Sequence, residues 1–180
     1  MRKVVLGGIF VLGLAVGAGA ALLAPSLALH APYAGQDERA ISSLSGDDIE
    51  QLREGRGWGL AKPAELNGYP GPLHIIELSD DLALSSGQCE AIRSSFDAMR
   101  QRARELGNDL IAAERALDEA FERGRLDATE LRRLLAEAER VRAALRGVHL
   151  AAHLEVTPLL SREQRELYAT LRGYGAHGGH

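Results

Sequence analysis

From Ser85 onward the apolar positions recur at alternating spacings of four and three, with one exception at the last step: Ile92, Phe96, Met99, Ala103, Leu106, Leu110, Ala113, Leu117 and Phe121. That rhythm draws a single seam along one helix. Ser85 or Ser86 is positioned to cap it, and the pattern predicts a helix to about Arg123. Gly124 stops it. Asp127, with Glu130 three positions later, reads as a capping box opening a second helix. The second seam runs Leu131, Leu134, Ala138, Val141, Leu145, Val148 and Ala152, again in threes and fours. Two seams of similar length across a short turn predict an antiparallel hairpin. With about 35 residues per arm, each arm is about 50 Å long. The fold class expected is all-α, with short helices flanking the hairpin and no strand.

Around the hairpin the pattern is broken into short pieces. Residues 38–54 read as a helix bearing Ile41, Leu44, Ile49 and Leu52, which Ser45 and Asp48 either interrupt or restart. Residues 55–72 contain five Gly and three Pro, which forbid a long regular element. Pro72 suits the first turn of a helix over 73–82, carrying Leu73, Ile75, Ile76 and Leu78. Pro158 ends or kinks the second arm, Ser161 caps a last helix over 162–172, and Gly173 stops it. Residues 175–180 read as a disordered tail. Segment 147–154 is apolar on all sides except at its histidines. The short helices are therefore expected to pack around the open end of the hairpin. The turn end is thin and charged, with Glu119, Glu122, Arg123, Arg125 and Glu130, so a homodimer is expected to complete burial.

The first 28 residues obey a different rule. Arg2 and Lys3 precede an uncharged apolar run from Val4 to Ala24, the arrangement of an export signal. Ser26-Leu27-Ala28 offers small residues for cleavage after Ala28, while a run of about 20 apolar residues also suffices for a retained anchor. Either way the chain beyond it faces outside the cytoplasm. Residues 29–37 read as a linker and 38–174 as one domain. Arg2 and Lys3 are two of 21 basic residues, so beyond the leader 19 basic side chains face 25 acidic ones. That balance gives no reason to expect a nucleic-acid partner. Cys89 is the single cysteine, so no internal disulfide is available. It reads as a small residue near a helix start, a soft metal ligand or an intermolecular thiol.

Two five-residue motifs bracket the arms: Leu84-Ser85-Ser86-Gly87-Gln88 and Leu160-Ser161-Arg162-Glu163-Gln164. They resemble the paired LTxxQ motifs of the Spy/CpxP family, which includes periplasmic zinc-resistance-associated proteins and heavy-metal sensors. The resemblance covers residues 72–172, with Ser in place of Thr in both copies. It implies a periplasmic, dimerising helical hairpin with a role in envelope stress. That role is metal sensing or resistance, or ATP-independent chaperoning of unfolded envelope proteins, with a membrane sensor as a further possible partner. The chaperone member has a basic cradle, whereas this chain is acidic. The motif itself is explained by capping: the Ser hydroxyl serves first-turn amides and the Gln three residues on returns the bond.

His149 and His153 lie four apart on the second arm and share a face. That spacing suits capture of zinc, copper or nickel. Counting back from the turn, His153 faces about residue 97, which makes Asp97 a candidate third ligand, with His74 or Glu77 approaching from the short helix. The alternative is a pair of histidines tucked beneath the short helices and hydrogen-bonded to backbone. His177 and His180 form a weak candidate site in the Gly-rich tail. Trp58 and Tyr69 read as anchors of the Gly/Pro loop or as a binding lip. With no nucleophile–base pairing, phosphate loop or paired-carboxylate pocket, the expectation is a non-enzymatic binding protein.

Overall fold

The computed structural model describes residues 33–174. Six α-helices follow in order: α1 (Gly46–Glu54), α2 (Lys62–Glu65), α3 (Pro72–Glu77), α4 (Ser86–Glu122), α5 (Ala128–Val156) and, after a single 3₁₀ turn at Thr157–Leu159, α6 (Arg162–Leu171). No strand occurs among the described residues; one isolated bridge joins Ile41 and Leu44. Residues 1–28, where the sequence predicts an export signal or anchor, and the tail 175–180 lie outside the described residues.

The hairpin stands as the seams predict. α4 is 37 residues long and α5 is 29, about 55 and 44 Å. Ser85 caps α4 with a full capping box: its hydroxyl accepts from the Gln88 amide, and the Gln88 side chain accepts from the Ser85 amide. Asp127 caps α5 by accepting from the Thr129 and Glu130 amides, both at 2.8 Å. The box expected there does not close. Glu130 instead points to Arg123, 3.8 Å away.

Two apolar clusters run along the hairpin. The middle one joins Ile41, Leu44 and Leu52 to Ala103, Leu106, Leu110 and Ile111 of α4 and to Val141 and Leu145 of α5. The one at the open end joins Ile75, Leu82, Ile92, Val156, Leu160 and Tyr168. The short helices thus do not all gather at the open end. The chain before α1 reaches well toward the turn, where Ser43 Oγ donates to Glu114 Oε2 at 2.8 Å and the Ser42 amide to Asp118 at 3.3 Å. This second partner widens the buried face of α4 to include Gly107, Ile111 and Glu114. Nearer the turn Ala120 and Leu134 are still buried, while Phe121 is exposed. Segment 147–154 is likewise covered on one side only: His149, Ala152 and His153 are buried, while Leu154 is 60% exposed.

Two expected helices are shorter than their apolar pattern. The 38–54 helix begins at Gly46, because Ser45 and Asp48 close a capping box. Ile41 and Leu44 reach the core from a tight turn instead, the Leu44 amide donating to the Ile41 carbonyl. The 73–82 helix ends at Glu77; Leu82 arrives through turns that close at Ala83, with φ 47°.

Glu114, nearly fully buried, receives Arg142, whose guanidinium also stacks 5.3 Å over the Trp58 ring. The Trp58 indole N–H donates to Asp48 at 2.7 Å. Trp58 holds the uncommon φ of 44°, and these contacts hold it there. The Gly/Pro loop is therefore fastened to α1 and both arms through its one tryptophan.

Gly107 sets how closely α1 sits on α4. A Cβ there would stand 2.2 Å from the Leu52 carbonyl oxygen. A helical Gly→Ala ordinarily stabilises, by about 0.5–1 kcal/mol. Gly147→Ala, on α5 with nothing nearby, should show that gain. Gly107→Ala should lose about 1–3 kcal/mol in urea unfolding, because the backbones must separate. Equal effects at the two positions would contradict the packing described.

Candidate metal-binding cavity

Between the two apolar clusters the interior of the hairpin mixes apolar and polar side chains. At this level α5 presents His149 and His153, and α4 presents Phe96, Met99 and Arg100. The loop 55–72 lies over them and leaves an open-sided cavity of about 680 Å³. Both histidines are buried, 3% and 7% exposed.

His153 is held by the loop. Its Nδ1 stands 2.8 Å from the Tyr69 carbonyl, an acceptor only, so Nδ1 carries the proton and donates. In the neutral ring the lone pair is then on Nε2. Tying one ring nitrogen to a carbonyl is how metal-binding histidines are usually oriented. Gly71 lets the loop come this close, for a Cβ there would lie 3.2 Å from both His153 Nε2 and Glu65 Oε2. His149 Nε2 is buried and has no hydrogen-bond partner. Burial, with His153 alongside, pulls its pKa below the usual imidazole value, so the ring is neutral at pH 7.

Glu65 is the carboxylate of the cavity, on the four-residue α2. Its Oε1 accepts from the Tyr168 hydroxyl at 2.5 Å and the Tyr174 hydroxyl at 3.1 Å, with Arg172 3.7 Å away. Burial and this carboxylate push the Tyr168 phenol well above its usual range, which keeps it a donor. Glu65 Oε2 is buried without a hydrogen-bond partner, 3.8 Å from His153 Nδ1.

Of the residues singled out from the sequence, His74, His149 and His153 line this one cavity. His74 is half-exposed and its Nδ1 is engaged by Glu77 at 3.0 Å. Asp97 is exposed and outside the lining. Its neighbours Phe96 and Met99 take the inward positions, and one residue on a helix turns a side chain by about 100°. Cys89 is half-buried and free at the start of α4. His177 and His180 lie outside the described residues. Glu65 was not legible in the sequence: its segment has no periodicity, and its partners lie over 100 positions away. Among the described residues, no three His, Cys, Asp or Glu side chains stand together as a ready-made ion site.

A sequence profile described as heavy-metal resistance matches residues 62–166, from the first residue of α2 into α6. The chain belongs to the heavy-metal resistance family. That family includes the Spy/CpxP-like zinc-resistance-associated proteins that the two Ser-x-x-Gln motifs resemble. No curated protein and no solved structure matches the chain. The matched region contains Glu65, His74, His149, His153 and both motifs, and leaves out α1.

His149 makes stability depend on pH. Its folded pKa lies below its unfolded one, so below about 6.5 the unfolded chain binds the proton more readily. Stability should be level above that value and fall as pH drops through it. His149→Leu should flatten the slope of melting temperature between pH 7.5 and 5.5. A slope unchanged by the substitution would show that His149 is not desolvated as described.

Proposed function

We propose that the protein binds transition-metal ions outside the cytoplasm as part of heavy-metal resistance, with His149 and His153 as imidazole ligands and Glu65 as the carboxylate that joins them. One observation carries this reading: unsatisfied donor atoms converge on one cavity. His149 Nε2 and Glu65 Oε2 are buried without hydrogen-bond partners, and Tyr69 leaves His153 Nε2 with its lone pair. Nitrogen and carboxylate ligands suit zinc, copper or nickel, and a bound ion would supply the charge these atoms lack. Tyr168 and Tyr174 hold Glu65 by Oε1 and leave Oε2, 3.8 Å from His153 Nδ1, as the oxygen open to an ion. His74 is the reserve imidazole once it leaves Glu77.

Family membership supports the resistance role, and residues 1–28 support export, as a cleaved signal or a retained anchor. The reading is of a binding protein, not an enzyme. A homodimer is proposed through the turn end, where Phe121 and Leu135 are 60% and 42% exposed. Light scattering at tens of micromolar should give twice the chain mass; a monomer would contradict it. The family's chaperone-type role is the second reading. Leu66, Tyr69 and Leu73, exposed on the loop and α3, would be its contact points for unfolded chains.

Calorimetry with zinc, copper and nickel tests the metal reading. Tight binding should vanish in His149→Ala and His153→Ala, weaken in Glu65→Gln, and weaken in all cases below about pH 6.5. Removing the residues after Tyr174, with His177 and His180, should spare it. If that truncation abolishes binding while His153→Ala changes nothing, the pair is structural. An aggregation-suppression assay on the same variants separates the two readings: suppression that survives loss of metal binding favours the chaperone role.

A further inference from the structure

The cavity is much larger than an ion requires. Its volume of about 680 Å³ lies in the range of small-molecule sites, which are mostly apolar with a few placed polar groups. Trp58, Leu66, Pro72, Phe96 and Met99 give this one its apolar wall.

The charge lining the cavity is one-sided. Arg56, Lys62 and Arg100 line it, against Glu65 as the only carboxylate in the lining. Glu65 Oε1 is already taken by Tyr168 and Tyr174. Arg56 is neutralised by Glu54 at 2.6 Å and Glu50 at 3.8 Å. Arg100 donates its Nε to the backbone carbonyl of Glu54, a neutral acceptor, at 3.1 Å. Lys62 is exposed and makes no ion pair among the described residues. Glu65 Oε2 lies on the His153 side, 3.8 Å from Nδ1, and the ion-pair contacts of Glu65 are to His153 and Arg172, so Lys62 and Arg100 stand beside the apolar wall without an ion pair. On the floor, the buried His149 Nε2 also lacks a partner.

We propose that this cavity is a binding site for an apolar organic anion, in chemical class a medium-chain carboxylate. The chain lies against Trp58, Phe96 and Met99, and the carboxylate meets Arg100 and Lys62. The cations and the apolar wall are not the proposed ion ligands, so this inference does not rest on the metal reading.

Trp58 is the only tryptophan, so its fluorescence reports the cavity directly. The purified protein, in chelator, is titrated with sodium decanoate below its micelle concentration. A saturable change with one decanoate per chain is expected. Decanol and decyltrimethylammonium should bind at least about tenfold more weakly, since each lacks the charge-assisted bonds. Arg100→Gln and Lys62→Gln should each weaken decanoate severalfold and leave decanol unchanged. Arg100 also holds Glu54, so exposed Lys62 is the variant free of any fold contact. No saturable change, several decanoates per chain, or equal binding of all three probes would overturn the proposal. Zinc calorimetry on the same protein keeps the two readings apart: decanoate binding without zinc binding sinks only the metal site, and zinc binding without decanoate binding sinks only this one.

Discussion

Over the apolar cluster at the open end of the hairpin, a reciprocal hydrogen bond between two glutamines ties the start of α4 to the start of α6. Gln88 closes the cap of α4 and Gln164 closes the cap of α6, each with its Oε1. Each also reaches across. Gln88 Nε2 donates to the Leu159 carbonyl at 2.7 Å and to Gln164 Oε1 at 2.9 Å, while Gln164 Nε2 donates to the Leu82 carbonyl at 3.1 Å. The two motifs, 76 residues apart, are thus one clasp. A hairpin has a covalent turn at one end only; this clasp closes the other. Half-buried amides in such a network leave several groups unsatisfied if one is removed, so it is specific as well as stabilising.

The clasp sets the place of α6, and α6 sets the cavity. Tyr168, held in the open-end cluster, donates to Glu65 and receives the Gly71 amide at 3.4 Å. That pins the loop whose Tyr69 carbonyl orients His153. Trp58 pins the other end of the loop through Asp48 and Arg142. The loop carries little regular structure, so tertiary bonds rather than its own backbone decide where it lies. The polar floor survives between two apolar clusters because the loop covers it and the backbone satisfies His153, though not His149 Nε2 or Glu65 Oε2.

The hairpin was legible because its signals are local. Seam spacing and the caps at Ser85, Asp127 and Ser161 depend on residues within one or two turns, and the pairing of His149 with His153 is a property of one helix. What depended on register was not legible. Register counted across the turn puts Asp97 opposite His153, but Phe96 and Met99 hold the inward positions and Asp97 is exposed. The start of α1 hung on whether Ser45 interrupts or restarts a helix. The capping box decides for restart and turns Ile41 and Leu44 into a separate anchor. Glu65 illustrates the limit. No pattern marks it, because its role arises from tyrosines on the far side of the chain.

Gln88 and Gln164 act as one device, and a double-mutant cycle reads their coupling: Gln88→Ala, Gln164→Ala and the double variant, each unfolded in urea. Each single change also loses its own cap, and that loss cancels in the cycle. A coupling energy of about 1 kcal/mol or more is expected, the second substitution costing far less once the first is made. Losses that add to within about 0.3 kcal/mol would show two independent caps, and the closed end of the hairpin would need another explanation.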